Sequence, residues 1–417
     1  MNQTTPHKSF FLIAMPLFLV LFIDGMGLGL VFPLLNALVM DPHSSFLPTH
    51  FGDAIRNVCF GSLVGIYMIC WFFGASFLGD LSDQIGRRKA LLLCLIGAFF
   101  GYVLSAISVI LHSVFLLLLG RVIAGFTAGS QPIAQAAIVD LSEPEHKVRN
   151  LGFILLAVCI GFIVGPFMGG VLSNTHLSSH FSYVTPFYFA SFVSFFNIIL
   201  LLVLMKETFV RDNSIPLNIK VHRAVEVFIE GFRHEKIRGL SAIFFVMIFG
   251  WSCYYSYIAM FMMKEFHVTE FGTSLFMTLM GVGFVIATGF LADRCSKRFE
   301  LRPFSAVMAF LAGLFSLITA LFPHAFIAWL LAIPVALTIA LAYSMILAIF
   351  SNQVGEDAQG WVMGITGAIM ALSFGLSAFL TSLAANISPR LPIIMAGVFM
   401  GAAGIWLSIH RLQSEKK

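Results

Sequence analysis

A single carboxylate lies within the first long apolar segment of the chain. Asp24 has apolar residues on both sides, over about residues 10–40. On insertion scales, an acid at the centre of a bilayer costs about 2.5–3.5 kcal/mol. The sequence shows no structural need for this acid, so we predict that Asp24 takes up and releases a proton during function. A structural acid, hydrogen-bonded near one end of the helix, is the alternative interpretation.

Arg121 is the one basic residue that falls inside an apolar segment. A guanidinium does not readily lose its proton, so Arg121 needs a polar cavity or an acidic partner. We predict that it acts on Asp24 or on polar groups nearby. A structural arginine close to the outer surface is the alternative, because the turn before its segment is short.

The composition places both residues in a membrane protein. Of the 417 residues, 59% are hydrophobic and 11% charged, and the mean hydropathy is +0.95. A soluble protein of this length cannot cover its surface with so few charges. The six cysteines form no CxxC pair, so no metal site is indicated. We expect no cofactor, and the net charge of +4 requires no nucleic acid as a partner.

Twelve apolar segments are long enough to cross a bilayer, which takes about 20 residues of helix. They lie near residues 10–40, 58–79, 90–111, 113–139, 150–173 and 185–206, and near 240–263, 272–292, 303–321, 325–349, 360–384 and 391–410. The sequence therefore predicts an all-α integral membrane protein with twelve transmembrane helices. They form an N-terminal lobe, 1–206, and a C-terminal lobe, 240–417.

Lysine and arginine set the orientation of these helices. Of the 24 such residues, only Arg56, Lys264 and Arg390 lie in the predicted outer loops, and Arg121 lies in a span. The others fall in segments that are inside when both termini are inside. We therefore predict that both termini are cytoplasmic.

The hydrophilic stretch 207–239 joins the two lobes and contains a predicted amphipathic helix. Apolar residues recur there at helical spacing, at Val221, Val225, Phe228 and Phe232. A helix that lies on the inner leaflet fits this spacing. The alternative is a linker that only ties the lobes together.

Two short segments repeat each other at a distance of 210 residues. One follows the second span and the other follows the eighth. They read Gly79-Asp-Leu-Ser-Asp83-Gln-Ile-Gly86-Arg87-Arg88 and Gly289-Phe-Leu-Ala-Asp293-Arg-Cys-Ser-Lys297-Arg298. A repeat of about half the chain is typical of two-lobed transporters. It therefore favours a transporter over a channel.

The first of these segments resembles the inner-loop signature of the major facilitator superfamily, GxLxDRxGRRxxL, with Gln84 in place of an arginine. Because glycine has no side chain, we expect Gly79 to let helices approach closely and Gly86 to turn the chain. We expect Arg87 and Arg88 to face phosphates of the inner leaflet.

The resemblance also implies a conformational gate at this end of the protein. Asp83 lies beside cations that can pair with it, and Asp140, at the end of the fourth span, joins Asp83 and Arg87 in the predicted network. Asp293 and Arg298 are the corresponding residues of the second lobe. The alternatives are charges that only set topology and, for Asp140, a solvated charge at a helix end.

Three further segments extend the resemblance to the twelve-helix drug:proton antiporters, and to tetracycline exporters in particular. In that family, the arginine that matches Arg121 is tied to proton coupling. The family patterns are DxxGxGLxxPxLP, LxxxRxxxGxxxG and GxxxGPxxGG, and they match Asp24–Asn36, in which Asn36 replaces the last proline, Leu118–Gly129 and Gly161–Gly170.

The last of these segments predicts a smooth helix face. Gly161, Gly165 and Gly169 recur every four residues, and Pro166 removes one backbone hydrogen bond. We predict that this face contacts a helix of the other lobe, at 360–367, in a seal that resists proton leakage. Ordinary packing of small residues is the alternative.

Polar and aromatic side chains within the spans are candidates for solute contacts, because ligand sites combine apolar walls with a few hydrogen-bonding groups. Tyrosine and tryptophan also mark membrane interfaces, which is the alternative for them. No acid or base lies clearly inside a span of the C-terminal half, so we expect charge coupling in the N-terminal lobe. The candidates are Asn36, Gln131, Gln135, Asn197, Trp251, Tyr254, Tyr255, Tyr257 and Tyr343.

These features together predict a secondary transporter of a bacterial inner membrane, with no catalytic residues. It is expected to act as a monomer and to export a small amphiphilic solute in exchange for protons. Proton-coupled import of a nutrient, amino acid, nucleoside or siderophore is the first alternative. An integral-membrane enzyme is a remote one, because the sequence has no HxxH pair and no GxSxG motif.

Overall fold

The computed structural model describes residues 10–41, 44–142, 147–209, 222–322, 324–355 and 358–410. Within these ranges the chain is helical and contains no strand. Twelve helical segments there are long and apolar enough to cross a membrane. The predicted all-α fold with twelve spans is confirmed.

Six spans form the N-terminal lobe. The fourth is interrupted at Ala128 and Gly129, so two helices, α4 and α5, together make one span. The helices are α1 (Phe10–Met40), α2 (Asp53–Ile85), α3 (Arg87–Ile110), α4 (Val114–Thr127), α5 (Ser130–Leu141), α6 (Lys147–Ser173) and α7 (Thr185–Leu204).

A short helix, α8 (Arg223–Arg233), precedes the six spans of the C-terminal lobe. The eighth span contains α10, a π-helical stretch at Ile286–Leu291 and α11. The helices of this lobe are α9 (Arg238–Phe266), α10 (Glu270–Val285), α11 (Ala292–Arg298), α12 (Leu301–Leu321), α13 (Ala325–Asn352), α14 (Gln359–Ile387) and α15 (Leu391–Ile409).

Helices α1 and α6 pack against each other with their main chains in contact. A side chain at Gly161 or Gly165 would overlap main-chain atoms of α1, and one at Gly25 would overlap the main chain of α6. Gly169 likewise faces Leu30 of α1. The glycine face thus packs within its own lobe, and the prediction that it contacts the other lobe is wrong.

The glycines of α14 that were predicted to meet this face do not do so. Gly360, Gly364 and Gly367 are exposed, and no described atom lies within 4 Å of a Cβ placed on Gly360 or Gly367. A stripe of small residues shows that some helix can approach closely. The stripe does not identify the partner helix, so the spacing alone led to a wrong prediction.

We call the end of the helices at which Arg87 lies the inner end, and the opposite end the outer end. The lobes meet along two seams, α2 with α14 and α6 with α10. At the outer end, Asn57 Nδ2 donates a hydrogen bond of 2.7 Å to Asn386 Oδ1 across the first seam. At the inner end, no described atom lies within 4 Å of a Cβ placed on Gly79. The α2–α14 seam is therefore in contact at the outer end and open around Gly79 at the inner end.

Helix α8 lies across the inner end of the α2–α14 seam. Arg223 Nη1 is 2.7 Å from Asp80 Oδ1 of α2, and Trp361 Nε1 of α14 donates a 2.7 Å hydrogen bond to Glu230 Oε2. A helix stands where the spacing predicts one, although Val221 lies outside the described residues. Its contacts with both lobes are a feature that the sequence does not predict.

Candidate functional site

Asp24 lies near the middle of α1 with its carboxylate directed into the N-terminal lobe. Ser130 Oγ donates a 2.5 Å hydrogen bond to Asp24 Oδ2. The serine is buried and the carboxylate is only partly exposed. Ser130 is the first residue of α5, so the carboxylate also lies beside a helix N-terminus, whose dipole favours negative charge.

The break in the fourth span brings Ser130 to this place. A side chain at Gly129 would lie 2.6 Å from the Ala75 Cα of α2, so only glycine fits there without a shift. The chain passes close to α2 at this glycine and then begins a new helix. The resulting N-terminus stands inside the lobe rather than at the membrane surface.

Two tyrosines surround the carboxylate site. The Tyr102 hydroxyl of α3 occupies the space that a side chain at Gly27 would fill, which explains why the turn after Asp24 needs a glycine. Tyr67 of α2 is buried in the same lobe, with its ring against the Arg121 guanidinium.

Arg121 is buried inside the lobe, with 4% of the residue exposed. Its guanidinium carbon lies 3.9 Å from the centroid of the Tyr67 ring, and its Nε donates a 3.2 Å hydrogen bond to the Leu63 carbonyl. This burial argues against a shallow arginine at the outer surface. Among the described ion pairs, none joins Arg121 to Asp24, so the predicted influence of one on the other stays a prediction.

The three predicted gate residues meet at the inner end. Arg87 Nη1 is 2.5 Å from Asp83 Oδ1, and Arg87 Nε is 3.7 Å from Asp140 Oδ2. Gly86 joins α2 to α3 with a φ of 101°, a conformation that glycine adopts without strain. The turn predicted at Gly86 and the proximity of the three charged residues agree with the structure.

Two other expectations for this segment are wrong, and the expectation that Arg88 faces lipid phosphates stays a prediction. Gly79 does not bring helices together, since its Cβ position is open. Arg87 turns toward carboxylates of its own lobe, and 14% of its side chain is exposed. Arg88 Nη2 donates a 2.6 Å hydrogen bond to the Leu202 carbonyl in the last turn of α7. Carboxylates and helix-end carbonyls thus bind the groups that were expected to face lipid phosphates.

The repeated segment of the C-terminal lobe has a different geometry. Lys297 Nζ is 2.7 Å from Asp293 Oδ2, and 74% of each side chain is exposed. The Arg298 guanidinium lies 5.9 Å from the ring centroid of Phe299. Asp293 therefore pairs with the lysine rather than with Arg298.

An aromatic cluster joins the two lobes between the seams. The Tyr255 ring of α9 lies 5.1 Å from Phe32 of α1 and 6.4 Å from Phe162 of α6, measured between centroids. Trp251 extends the cluster, 5.5 Å from Tyr255 and 5.4 Å from Phe284 of α10. Trp251 and Tyr255 were predicted as solute contacts. The three phenylalanines were missed, because 46 such residues carry no positional signal in the sequence.

Tyr254 and Tyr257 are fully buried and do not line the space between the lobes at the inner end. Tyr254 lies near Thr319 of α12, inside the C-terminal lobe. The Tyr257 ring lies 5.3 Å from Phe60 of α2, in the closed outer part of a seam.

The remaining candidates occupy different places. Asn197 Nδ2 donates a 3.2 Å hydrogen bond to the Pro16 carbonyl, which ties α7 to α1 inside the N-terminal lobe. Tyr343 packs 5.9 Å from the Phe244 ring of α9. Gln131 and Gln135 are partly exposed on α5, just beyond Ser130, and Asn36 is fully buried.

Comparison with known proteins identifies the kind of molecule that carries this site. Tetracycline resistance protein, class C, from Escherichia coli is 26% identical over 388 residues, which are 92% of this chain and 89% of that protein. The human organic anion transporter MFSD10 has a TM-score of 0.70 at 20% identity, covering 96% of this chain and all of that one. A D-xylose-proton symporter has a TM-score of 0.76 at 14% identity, covering 98% and 99%.

The two solved structures support the fold alone, because their sequences are so distant. The relatives and structural neighbours are transporters, which confirms the expectation of a protein that is not an enzyme. The Major Facilitator Superfamily profile matches residues 17–378 and 240–417. The chain with the Asp24–Ser130 pair and the inner-end ion network therefore belongs to the Major Facilitator Superfamily.

Proposed function

We propose that this transporter exports a small amphiphilic solute across a bacterial inner membrane in exchange for protons. The observation that carries the proposal is the hydrogen bond between Asp24 and Ser130 inside the N-terminal lobe. A carboxylate at this depth is costly to keep charged, while the hydroxyl and the N-terminus of α5 favour its charged form. These opposing effects make both protonation states accessible. The similarity to a tetracycline resistance protein supports export as the direction.

The proposed cycle alternates between a state closed at the outer end and one closed at the inner end. In the present state, solute enters between the lobes from inside and binds against the aromatic cluster while Asp24 is charged. After the outer end opens, protonation of Asp24 weakens solute binding, and the solute leaves. Release of the proton inside completes the cycle. Each inward proton supplies about 2.3 kcal/mol per 100 mV of membrane potential, in addition to the pH gradient.

Arg121 and Tyr67 have a supporting role in this scheme. The buried guanidinium cannot readily give up its charge, so it places a fixed positive charge in the lobe. The Tyr67 ring lies against this guanidinium, and we propose that Tyr67 passes a change of charge at Asp24 to Arg121.

The test measures solute-driven proton movement in proteoliposomes that contain the full chain, with tetracycline and ethidium as probes. We expect Asp24→Asn to abolish proton movement while solute counterflow, which needs no net proton transfer, continues. Ser130→Ala, which keeps the carboxylate, is expected to shift the pH dependence of transport without abolishing it. Coupled proton movement that is unimpaired in Asp24→Asn would remove the proposed role. Solute accumulation in the same direction as protons would instead favour the symport alternative.

A further inference from the structure

The amide of Asn36 is buried without a hydrogen-bonding partner. The residue lies near the outer end of α1 and is 0% exposed. Among the described residues, none forms a hydrogen bond with either its Nδ2 or its Oδ1 atom. Buried polar groups in folded proteins nearly always find partners, because the cost of removing them from water is otherwise not offset. Because neither polar atom of this amide has a described partner in the present state, we expect the amide to form hydrogen bonds in another conformational state.

The position of Asn36 on its helix indicates which surface it occupies. Residues four apart lie on the same helix face, so Asn36 shares a face with Phe32. The Phe32 ring contacts Tyr255 of the other lobe, and α1 also contacts α10 of that lobe. Asn36 therefore lies on the face of α1 that meets the C-terminal lobe, one turn closer to the outer end than the aromatic cluster.

One other amide at a contact between the lobes is paired. Asn57 Nδ2 donates a hydrogen bond to Asn386 Oδ1 across the α2–α14 seam. The closed outer half thus supplies a partner for this amide nitrogen but none, among the described residues, for the amide of Asn36. Separation of the lobes at the outer end would give its amide access to polar groups that the closed state excludes.

We propose that Asn36 lines the outward-facing chamber and hydrogen-bonds there to the departing solute. An uncharged amide offers one acceptor and two N–H donors, so it suits a neutral polar group such as a hydroxyl, ketone or amide. Phe32 and Tyr255 lie one turn deeper and suit an aromatic ring. The solute class is then an aromatic amphiphile with a neutral hydrogen-bonding group. This inference rests on the proposed solute export but not on its coupling to protons.

The first test measures access to position 36 from outside. Asn36→Cys is made in a chain whose six native cysteines are replaced, and vesicles are treated with a membrane-impermeant maleimide. Leu30→Cys is the matched control, because Leu30 is also 0% exposed on α1 but packs on Gly165 and Gly169 of its own lobe. We expect position 36 to react at least about tenfold faster, as a site that becomes exposed in a populated second state should. Equal rates would overturn the placement in the chamber.

The second test asks whether solute reaches the amide. Tetracycline and ethidium are added separately, and at least one is expected to slow labelling of Asn36→Cys by threefold or more. Protection by neither overturns the solute contact. If neither probe is transported by the parent chain while position 36 still reacts faster than position 30, the export proposal fails and the chamber position stands. The two failures are therefore distinguishable.

A third variant keeps the proposal testable if the cysteine substitution impairs folding. Asn36→Leu has a similar volume and no polar group, so it should stabilise the state that is closed at the outer end. Its readout is labelling of Ser382→Cys, which is buried in the α2–α14 seam against Gly61. We expect labelling to slow by about fivefold, the effect of relieving one unpaired polar group. Unchanged or faster labelling would count against the proposal.

Discussion

The two lobes carry the same charged segment and use it in different ways. In the N-terminal lobe, Arg87 is mostly buried and lies between Asp83 and Asp140. In the C-terminal lobe, the pair at the equivalent positions, Asp293 and Lys297, is exposed. Each pair is spaced four residues apart on a helix or across a helix end. The difference lies in what else is near: among the described residues, only the first lobe places a second carboxylate, from α5, within reach of the cation.

The two copies of the repeat thus share a pattern of residues but not the same set of ion pairs. An exposed ion pair four residues apart is worth only about 0.3–0.5 kcal/mol. A mostly buried arginine with two carboxylates is costly to remove, because it leaves charges without a partner. We therefore propose that the inner-end gate lies in the N-terminal lobe.

The largest expected effect comes from removing the cation of each copy. Arg87→Ala leaves Asp83 and Asp140 facing each other and should lower stability by about 1–3 kcal/mol, with at least a tenfold loss of transport rate. Lys297→Ala is its matched control. It should lower stability by less than about 0.5 kcal/mol and change the transport rate less than about twofold. Thermal denaturation in detergent and solute flux in proteoliposomes measure the two effects. Equal losses in both variants would show that the copies act alike.

An intermediate effect is expected at the turn beside Arg87. Gly86→Ala forces a side chain into a backbone with a φ of 101° and toward the Glu207 carboxylate. The conformational term alone costs about 1–3 kcal/mol, so the denaturation temperature should fall. At the equivalent position of the second lobe, Ser296 is an ordinary helical residue of α11, and Ser296→Ala should leave the temperature unchanged. A neutral Gly86→Ala would mean that the turn relaxes freely.

The smallest effect is expected at Gly79 and Gly289, the equivalent glycines of the two repeated segments, where a side chain would meet no neighbour among the described residues. No described atom lies within 4 Å of a Cβ placed on Gly79 or Gly289. Alanine is the better helix former by about 1 kcal/mol in a helix interior, so either substitution should be neutral or slightly stabilising in the inward-open state. A loss of transport in Gly79→Ala with unchanged stability would show that Gly79 packs closely only after the inner end closes. Gly289→Ala then reports whether the second copy does the same.

The fold could be predicted from the sequence because its causes are local. Long apolar runs and the placement of lysine and arginine require only the thickness and charge of a membrane. The Asp24 carboxylate also stood out, since a lone acid in an apolar run is costly wherever the helix lies. Its partner did not, because Ser130 resembles any other small residue of a span.

Contacts between distant segments were the part that the sequence could not supply. The spacing of Gly161, Gly165 and Gly169 indicated close packing but not that the partner is α1. Phe32 gave no signal of its contact with Tyr255, since phenylalanine is common throughout the chain. The bond between Arg88 and the Leu202 carbonyl gave no signal either, because the two residues are remote in sequence. Helix direction and side-chain type are local properties, whereas the choice of neighbour depends on the whole fold.

The break in the fourth span has a mechanical consequence. Because the fourth span is interrupted before Ser130, α5 is a separate helix of twelve residues. Its two ends contact different functional residues. Ser130 holds the Asp24 carboxylate at one end, and Asp140 reaches the Arg87 guanidinium at the other. About 15 Å of stiff helix separates them. A tilt of α5 would therefore couple the charge of Asp24, within the membrane, to the position of Asp140 at the inner end.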